Sequence, residues 1–393
     1  MITDFVAFLS PDWDVAYRAS MFREIARQIG VKGGKFIGIN RPVYILTDLF
    51  SNPRRILKTL EKSIKIVPNI TICRPLLYVH PRAFPYGGNK LQKNKLSGYI
   101  KKVVRKEGAA EGKTVFWLSH PYQMLEVDIP DGVFVVYERY DKYDAAFNIT
   151  EKNRKLIRAL ENKIFKKADL IIVTAKKLTE DIQEYSAKIK YLSNAADFEY
   201  FSECKSAKNV INKNIAHINH PVIGYLGTIH AGTDLKLIRK TALALPEYTF
   251  LLTGPVQDGE IKASSEYRSL IKMTNVIFTG WLDWAEMPTY LKAFDIGIIP
   301  YRLDFEFNNY VDPNKFHEYM AMGLPIVSTN IPEMLKYKQW ASIANSEEEF
   351  ISKIKEAVDK LPAKDRDARE IYARENGWAK RVGEILGEIN KSI

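Results

Sequence analysis

Five short apolar runs in the second half of this chain do most to limit what it can fold into: VIGYLG (222–227), TFLLTG (249–254), NVIFTG (275–280), IGIIPY (296–301) and PIVST (325–329). Each ends in glycine, proline or a polar residue, and helical patterns near 234–245, 284–294 and 314–322 fall between them. Short buried runs alternating with helices predict a parallel sheet covered on both faces. Ligands of such sheets bind beyond the carboxyl ends of the strands. The loops after Gly227, Gly254 and Gly280 open there.

The first half repeats the scheme less cleanly. FVAFLS (5–10), FIGIN (36–40), VFWLS (115–119), VFVVYE (133–138) and LIIVTA (170–175) read as strands, with helical patterns at 16–29, 151–167 and 177–187. A chain of 393 residues suits two domains rather than one core. The polar stretch SECKSAKNVINKNIAHINHP (202–221) reads as the divider. The expected organisation is an α/β, Rossmann-like domain over 1–205, a linker over 206–221 and a second Rossmann-like domain over 222–375. A final amphipathic helix, 376–393, is expected to pack back on the first domain. Two parallel-sheet domains joined in this way predict a site in a central cleft.

Charge is distributed unevenly. Residues 1–113 hold 21 Lys+Arg against 8 Asp+Glu, a net of +13, and residues 114–393 hold 37 against 39, a net of −2. Such asymmetry points to an anionic partner. The segment NKLQKNKLSGYIKKVVRK (89–106) interleaves Leu91, Leu96, Ile100, Val103 and Val104 with basic residues, among them Lys93, Lys95, Lys101, Lys102 and Arg105. Lying flat, it would set cations at lipid headgroups and aliphatic chains slightly deeper; a surface helix of the first domain is the ordinary alternative. Nucleic acid fits less well, because no recognised binding module accompanies the charge. No run of about 18 apolar residues predicts a membrane span. The acidic N-terminus lacks the basic start of a signal peptide. Cys73 and Cys204 form no metal or disulfide pattern. A cytoplasmic protein is the expectation.

The segment richest in chemistry is DPNKFHEYMAMGLP (312–325). Asp312 suits a helix cap, Pro313 the first turn and Gly323 the exit before a buried strand. Phe316 and Met320 share a core-facing side, while Lys315, Glu318 and Met322 fall on another. An i,i+3 ion pair is one reading of Lys315 and Glu318. The other sets a cation and a helix N-terminus against a diphosphate, with a carboxylate one turn on accepting ribose hydroxyls. Spacing alone leaves the two even.

The runs NVIFTGWLDWAEMPTYLKAFDIGIIPYR (275–302) and DPNKFHEYMAMGLPIVST (312–329) resemble the donor domain of GT-B glycosyltransferases of the group 1/family 4 type. The branch seen in bacterial exopolysaccharide and teichuronic-acid-type assembly is the nearest. YERYDKYDAAF, ADLIIVTAKKLTEDI and YLSNAADFEYF extend the similarity, whereas 45–112 match poorly. The resemblance implies a GT-B fold and a nucleotide-sugar site built from Lys315, Glu318, Asn314, Tyr301, Arg302, Gly227, Thr228, Gly254 and Trp281. The family's usual pair of glutamates is broken, because its first position is Tyr310. The basic pair often found after the first strand of the donor domain is missing too, since GYLGTIHAGTD offers only His230. Phosphate binding therefore falls on Lys315, with Arg302 as helper. The pattern also resembles the xanthan-type glucuronosyltransferases, which invert the anomeric centre where family 4 retains it, so stereochemistry stays open.

The resemblance to the xanthan-type enzymes implies Asp141 as the base that deprotonates the acceptor; Asp141 and Asp144 as mere helix caps is the rival reading. In family 4 a histidine near His120 touches the donor sugar. Asp12-Trp13-Asp14 matches a D-x-D metal pattern, but it follows the first strand of a two-domain chain, so neither a metal nor a cofactor is expected. The expected activity is transfer of a sugar from a nucleotide donor, UDP-linked by expectation, to a lipid-linked saccharide in bacterial surface polysaccharide synthesis. The chain would then work peripherally at the cytoplasmic face of the membrane. Two rivals stand beside it: a nucleotide-sugar 2-epimerase of the same fold, and a basic binding protein without catalysis.

Overall fold

The computed structural model describes all residues except 1–3, 11, 14–17, 52–55, 57–58, 60–62, 79–89, 109–113, 147, 207–214, 216, 258, 362–364 and 393. The chain divides into two compact units. One comprises 1–174, 178–192 and 381–393; the other comprises 175–177 and 193–380. The second unit begins at Ser193, ahead of the boundary at 205 that the polar stretch implies, because Phe198 and Phe201 lie in its core.

The first unit is built on β1 (Asp4–Phe8), β2 (Phe36–Ile39), β3 (Val43–Tyr44), β4 (Ser63–Val67), β5 (Ile70–Cys73), β6 (Leu76–Leu77), β7 (Thr114–Leu118), β8 (Phe134–Arg139), β9 (Leu170–Val173) and β10 (Ile189–Tyr191). Its main sheet runs β10-β9-β8-β7-β1-β2-β5-β4, parallel except for β4 on β5, and β3 pairs with β6 separately. The helices named here are α1 (Ala19–Gly30), α2 (Ile45–Ser51), α3 (Lys90–Glu107) and α4 (Glu151–Lys167). Strands β1, β2, β5 and β7 are buried along their whole length, as a sheet covered on both faces requires.

One expected helix, 177–187, is instead a pair of 3₁₀ turns, Lys176–Thr179 and Gln183–Lys188. The cause is Arg139, fully buried at the end of β8. Its guanidinium bonds Glu161 (3.0 Å), Asp181 (2.6 Å) and the Leu178 carbonyl (2.6 Å). An α-helix would spend that carbonyl on the Ile182 N–H, which turns to Thr179 O instead (3.2 Å).

The second unit contains α5 (Phe198–Ser206), β11 (Val222–Leu226), α6 (Leu235–Ala244), β12 (Thr249–Thr253), β13 (Val276–Gly280), β14 (Ile296–Ile299), α7 (Asn314–Ala321), β15 (Ile326–Thr329), β16 (Ser342–Ala344), α8 (Glu347–Asp359) and α9 (Arg366–Glu375). Its sheet order is β13-β12-β11-β14-β15-β16, every pair parallel. Numbered within the unit, that is the 3-2-1-4-5-6 order of a doubly wound sheet, whose direction of winding reverses between β11 and β14. Gly224 and Gly297 let side chains close on the sheet there. A Cβ on Gly224 would stand 2.0 Å from the Phe294 ring, and one on Gly297 would stand 2.4 Å from the Tyr319 ring. The last helix, α10 (Trp378–Lys391), leaves the second unit and joins the first from Arg381 onward.

Candidate functional site

The reversal between β11 and β14 leaves a crevice position at their carboxyl ends, and α7 delivers its first turn to it. Pro313 is the N-cap of α7, with no side-chain cap, which corrects the reading of Asp312 as the cap. Asp312 has other work. Its carboxylate accepts from Asn194 N–H (2.7 Å) and Tyr337 OH (3.1 Å), and pairs with His317 (3.2 Å) and Lys336 (3.3 Å). Burial would raise its pKa, but Lys336, His317 and the Asn194 amide outweigh that and hold it near 2. Tyr319, on the core side, bonds the sheet directly: its hydroxyl accepts the Leu226 N–H (2.9 Å). Phe316 and Met320 lie beside it in the core, as the helical spacing predicts.

Lys315 and Glu318 are each only 8% exposed. The Lys315 ammonium donates to the Tyr301 hydroxyl (2.6 Å) and stands 4.6 Å from the Tyr301 ring centre and 5.0 Å from that of Tyr225. No carboxylate within ion-pairing distance of Lys315 is found among the described residues. Burial pushes the Glu318 carboxyl up to about 7, although Lys315 pulls it the other way. The i,i+3 ion-pair reading is not met: both side chains are buried, and no ion pair joins them among the described residues. Buried groups of this kind cluster at functional sites.

Gly227 and Gly254 form the floor. Gly227 has φ +119° and would place a Cβ 3.7 Å from the Lys315 Nζ. Gly254, with φ +134°, has no room for a Cβ, which would lie 2.3 Å from the Gly227 carbonyl oxygen. Thr228 is exposed, and its carbonyl accepts from Tyr225 OH (2.8 Å). Asn314, partly exposed, opens α7. Arg302 is 42% exposed and pairs with Asp304 through two bonds, 3.0 and 2.7 Å. Trp281 follows β13, two strands from β11 in the sheet, and is 65% exposed. Sequence reasoning left His230 out of the site, yet it lies in the loop after β11, its ring 6.0 Å from that of Tyr301.

In the first unit, His120 follows β7 and Asp141 follows β8. His120 Nδ1 accepts from Tyr122 N–H (3.2 Å), and its ring packs 4.4 Å from that of Tyr143. Asp141 is pushed up to about 7 by burial, with Arg18 lowering it and Glu138 raising it further. Neither aspartate caps the next helix, because Thr150 caps α4. Asp144 is engaged by Lys142 (2.8 Å) and Arg158 (2.7 Å). Asp12 accepts from Arg41 N–H (2.9 Å), and Asp14 lies outside the described residues.

The basic segment is α3. Lys101, Lys102 and Arg105 are exposed, Lys95 sits 4.3 Å from the Tyr78 ring centre, and Lys93 pairs with Asp128 (2.6 Å). Leu96, Ile100 and Val103 are buried. These three turn into the core of their own unit, which corrects the expectation for them, whereas Leu91 is 78% exposed and Val104 half-buried.

Residues 220–360 match the family described as Glycosyl transferases group 1. A Bacillus subtilis protein, TuaH, named for a glycosyltransferase of teichuronic acid biosynthesis, is 28% identical over 257 residues; that match spans 63% of this chain and 63% of the relative. Among solved structures, a sucrose-phosphate synthase from Thermosynechococcus elongatus superposes with a TM-score of 0.67 at 14% identity, covering 99% of this chain and 98% of the other. Anabaena HepE, solved in complex with UDP and glucose, superposes with a TM-score of 0.62 at 12% identity, covering 100% of both chains. The fold is that of the GT-B glycosyltransferases, and the stretch of the second unit that matches the group 1 glycosyltransferase model contains Lys315 and Glu318.

Proposed function

We propose that this chain transfers a sugar from a UDP-linked donor to a lipid-linked saccharide at the cytoplasmic face of the membrane, in assembly of a bacterial surface polysaccharide. The observation that carries the reading is the pair Lys315 and Glu318, buried one helical turn apart where the sheet order reverses. An ammonium at the start of a helix suits a diphosphate, and a carboxylate one turn on suits ribose hydroxyls. As the bond from C1 of the sugar to the phosphate breaks, negative charge grows on the leaving diphosphate. Lys315 and the first amides of α7 stabilise it, so no metal is required. Asp141 takes the proton of the acceptor hydroxyl while the new bond to C1 forms. A base with a pKa near the working pH suits that step.

Support for the membrane surface comes from the first unit. Leu46, Leu49 and Phe50 of α2 are 60%, 51% and 86% exposed. Leu46 N–H bonds the Tyr78 carbonyl (3.0 Å), and Tyr78 lies against Lys95 of α3. Exposed apolar side chains thus border a basic helix, the arrangement an anionic bilayer attracts. The relative named for teichuronic acid biosynthesis supports the choice of acceptor.

Calorimetry with UDP, with EDTA present throughout, tests the donor site. Lys315→Ala should weaken binding by about 1.5–3 kcal/mol, the worth of a charge-assisted hydrogen bond. Glu318→Ala should lower affinity for UDP and for uridine alike. Unchanged affinities in both variants would overturn the assignment, and binding that vanishes in EDTA would overturn its metal independence.

A further inference from the structure

The loop joining β11 to α6 carries a side chain that the donor reading leaves unused. His230 N–H reaches Thr233 Oγ1 (3.3 Å), its carbonyl accepts Thr233 N–H (2.8 Å), and its Nδ1 accepts Gly232 N–H (3.0 Å). Gly232 is itself pinned: its carbonyl accepts from Arg302 N–H and from Asn308 Nδ2, both at 2.9 Å. A Cβ at Gly232 would lie 2.7 Å from Asn308 Oδ1 and 2.8 Å from the His230 ring. The ring is packed against Tyr301, at 6.0 Å, and Phe305, at 6.5 Å. Tyr301 is the residue to which Lys315 donates.

A ring nitrogen that accepts a backbone N–H carries no proton. His230 is therefore neutral, with its single proton on Nε2. Burial, and Lys315 nearby, lower its pKa in the same sense. Among the described residues Nε2–H meets no acceptor. A second cation beside Lys315 would be repelled, but a neutral donor is not.

We propose that His230 is a fixed, neutral hydrogen-bond donor to a phosphate oxygen of the nucleoside diphosphate that Lys315 neutralises. The proposal rests on the donor-site reading above. Glu318, a turn further along α7, serves the hydroxyls, so His230 belongs to the phosphate end of the ligand.

Calorimetry with UDP and with uridine, on the wild type, His230→Ala, His230→Gln and Lys315→Ala, tests it. His230→Ala should weaken UDP binding by about tenfold to a hundredfold and leave uridine binding unchanged. His230→Gln, whose amide N–H can stand near the place of Nε2–H, should recover most of the loss. The ratio of wild-type to His230→Ala affinity should be the same at about pH 6 and about pH 8, since no imidazolium is involved. Equal losses for UDP and uridine, no loss at all, no recovery in His230→Gln, or a ratio that shrinks as pH rises would each overturn the proposal. If Lys315→Ala still weakens UDP binding in that event, the donor site stands and His230 alone is misassigned. If neither substitution matters, the donor-site reading fails with it.

Discussion

Glu318 is a carboxylate whose charge the fold resists, since burial pushes it from its ordinary 4.5 to about 7. Ribose hydroxyls donate to the ionised form. Uridine affinity should therefore rise between about pH 6 and about pH 8 and stay nearly flat in Glu318→Gln, by calorimetry. Stability runs the opposite way. A carboxyl with a raised pKa holds its proton more tightly folded than unfolded. Its contribution is present in full below the unfolded value and is lost as pH climbs through the folded one. Melting temperature should fall from pH 4.5 to about 7, less steeply in Glu318→Gln. Asp141 shifts in the same direction. Its proposed role is tested separately: Asp141→Asn should cut turnover by roughly 10²–10⁴ with UDP affinity kept. NMR of the product should show an inverted anomer; a retained one would dismiss the base.

At the scale of elements, α7 owes its position to two anchors: Asp312 bound to Asn194, Tyr337 and Lys336 before it, and Tyr319 bound to β11 within it. Asp312→Ala removes a buried carboxylate from its partners, and losses of about 3–5 kcal/mol are usual for such a break. Urea unfolding should show this, with Asp312→Asn losing less. Five of the six second-unit strands were legible in the sequence because they are short, apolar and end at glycine, proline or a polar residue; β16, three residues with only one buried side chain, was not. The Lys315 and Glu318 face was legible because helical spacing alone brings it together. Strand β4 was not, since SIKIV is an edge strand with mostly exposed side chains and carries no burial signal. The turns at 176–188 were hidden because a buried arginine far away in sequence claims the Leu178 carbonyl. Asp312 looked like a cap because sequence shows the neighbouring helix and not its distant partners. The one signal for His230 was its place in GTIHAGTD, immediately after a strand.

Across the molecule, the excess of basic residues is confined to 1–113, and α2 with α3 gives it a surface. Each Lys or Arg near an anionic bilayer contributes about 1 kcal/mol, screened over about 10 Å at 0.1 M salt. Replacing Lys95, Lys101, Lys102 and Arg105 with Gln should abolish the salt-sensitive part of vesicle binding in sedimentation. Leu49→Ser with Phe50→Ser should abolish the salt-resistant part. Equal binding of the wild type to neutral and anionic vesicles would refute the electrostatic role. No helix among the described residues is long and apolar enough to cross a membrane. The path of α10 has a consequence for ancestry. Because the chain returns to the first unit at Arg381, and Lys190 there bonds Glu388 (3.1 Å), a single genetic crossover near Leu192 would pair one parent's first unit with a closing helix from the other. Recombination that exchanges donor specificity intact needs two breakpoints, near Leu192 and Lys380. Viable chimeras between relatives of this chain should retain the first unit and the final helix from the same parent.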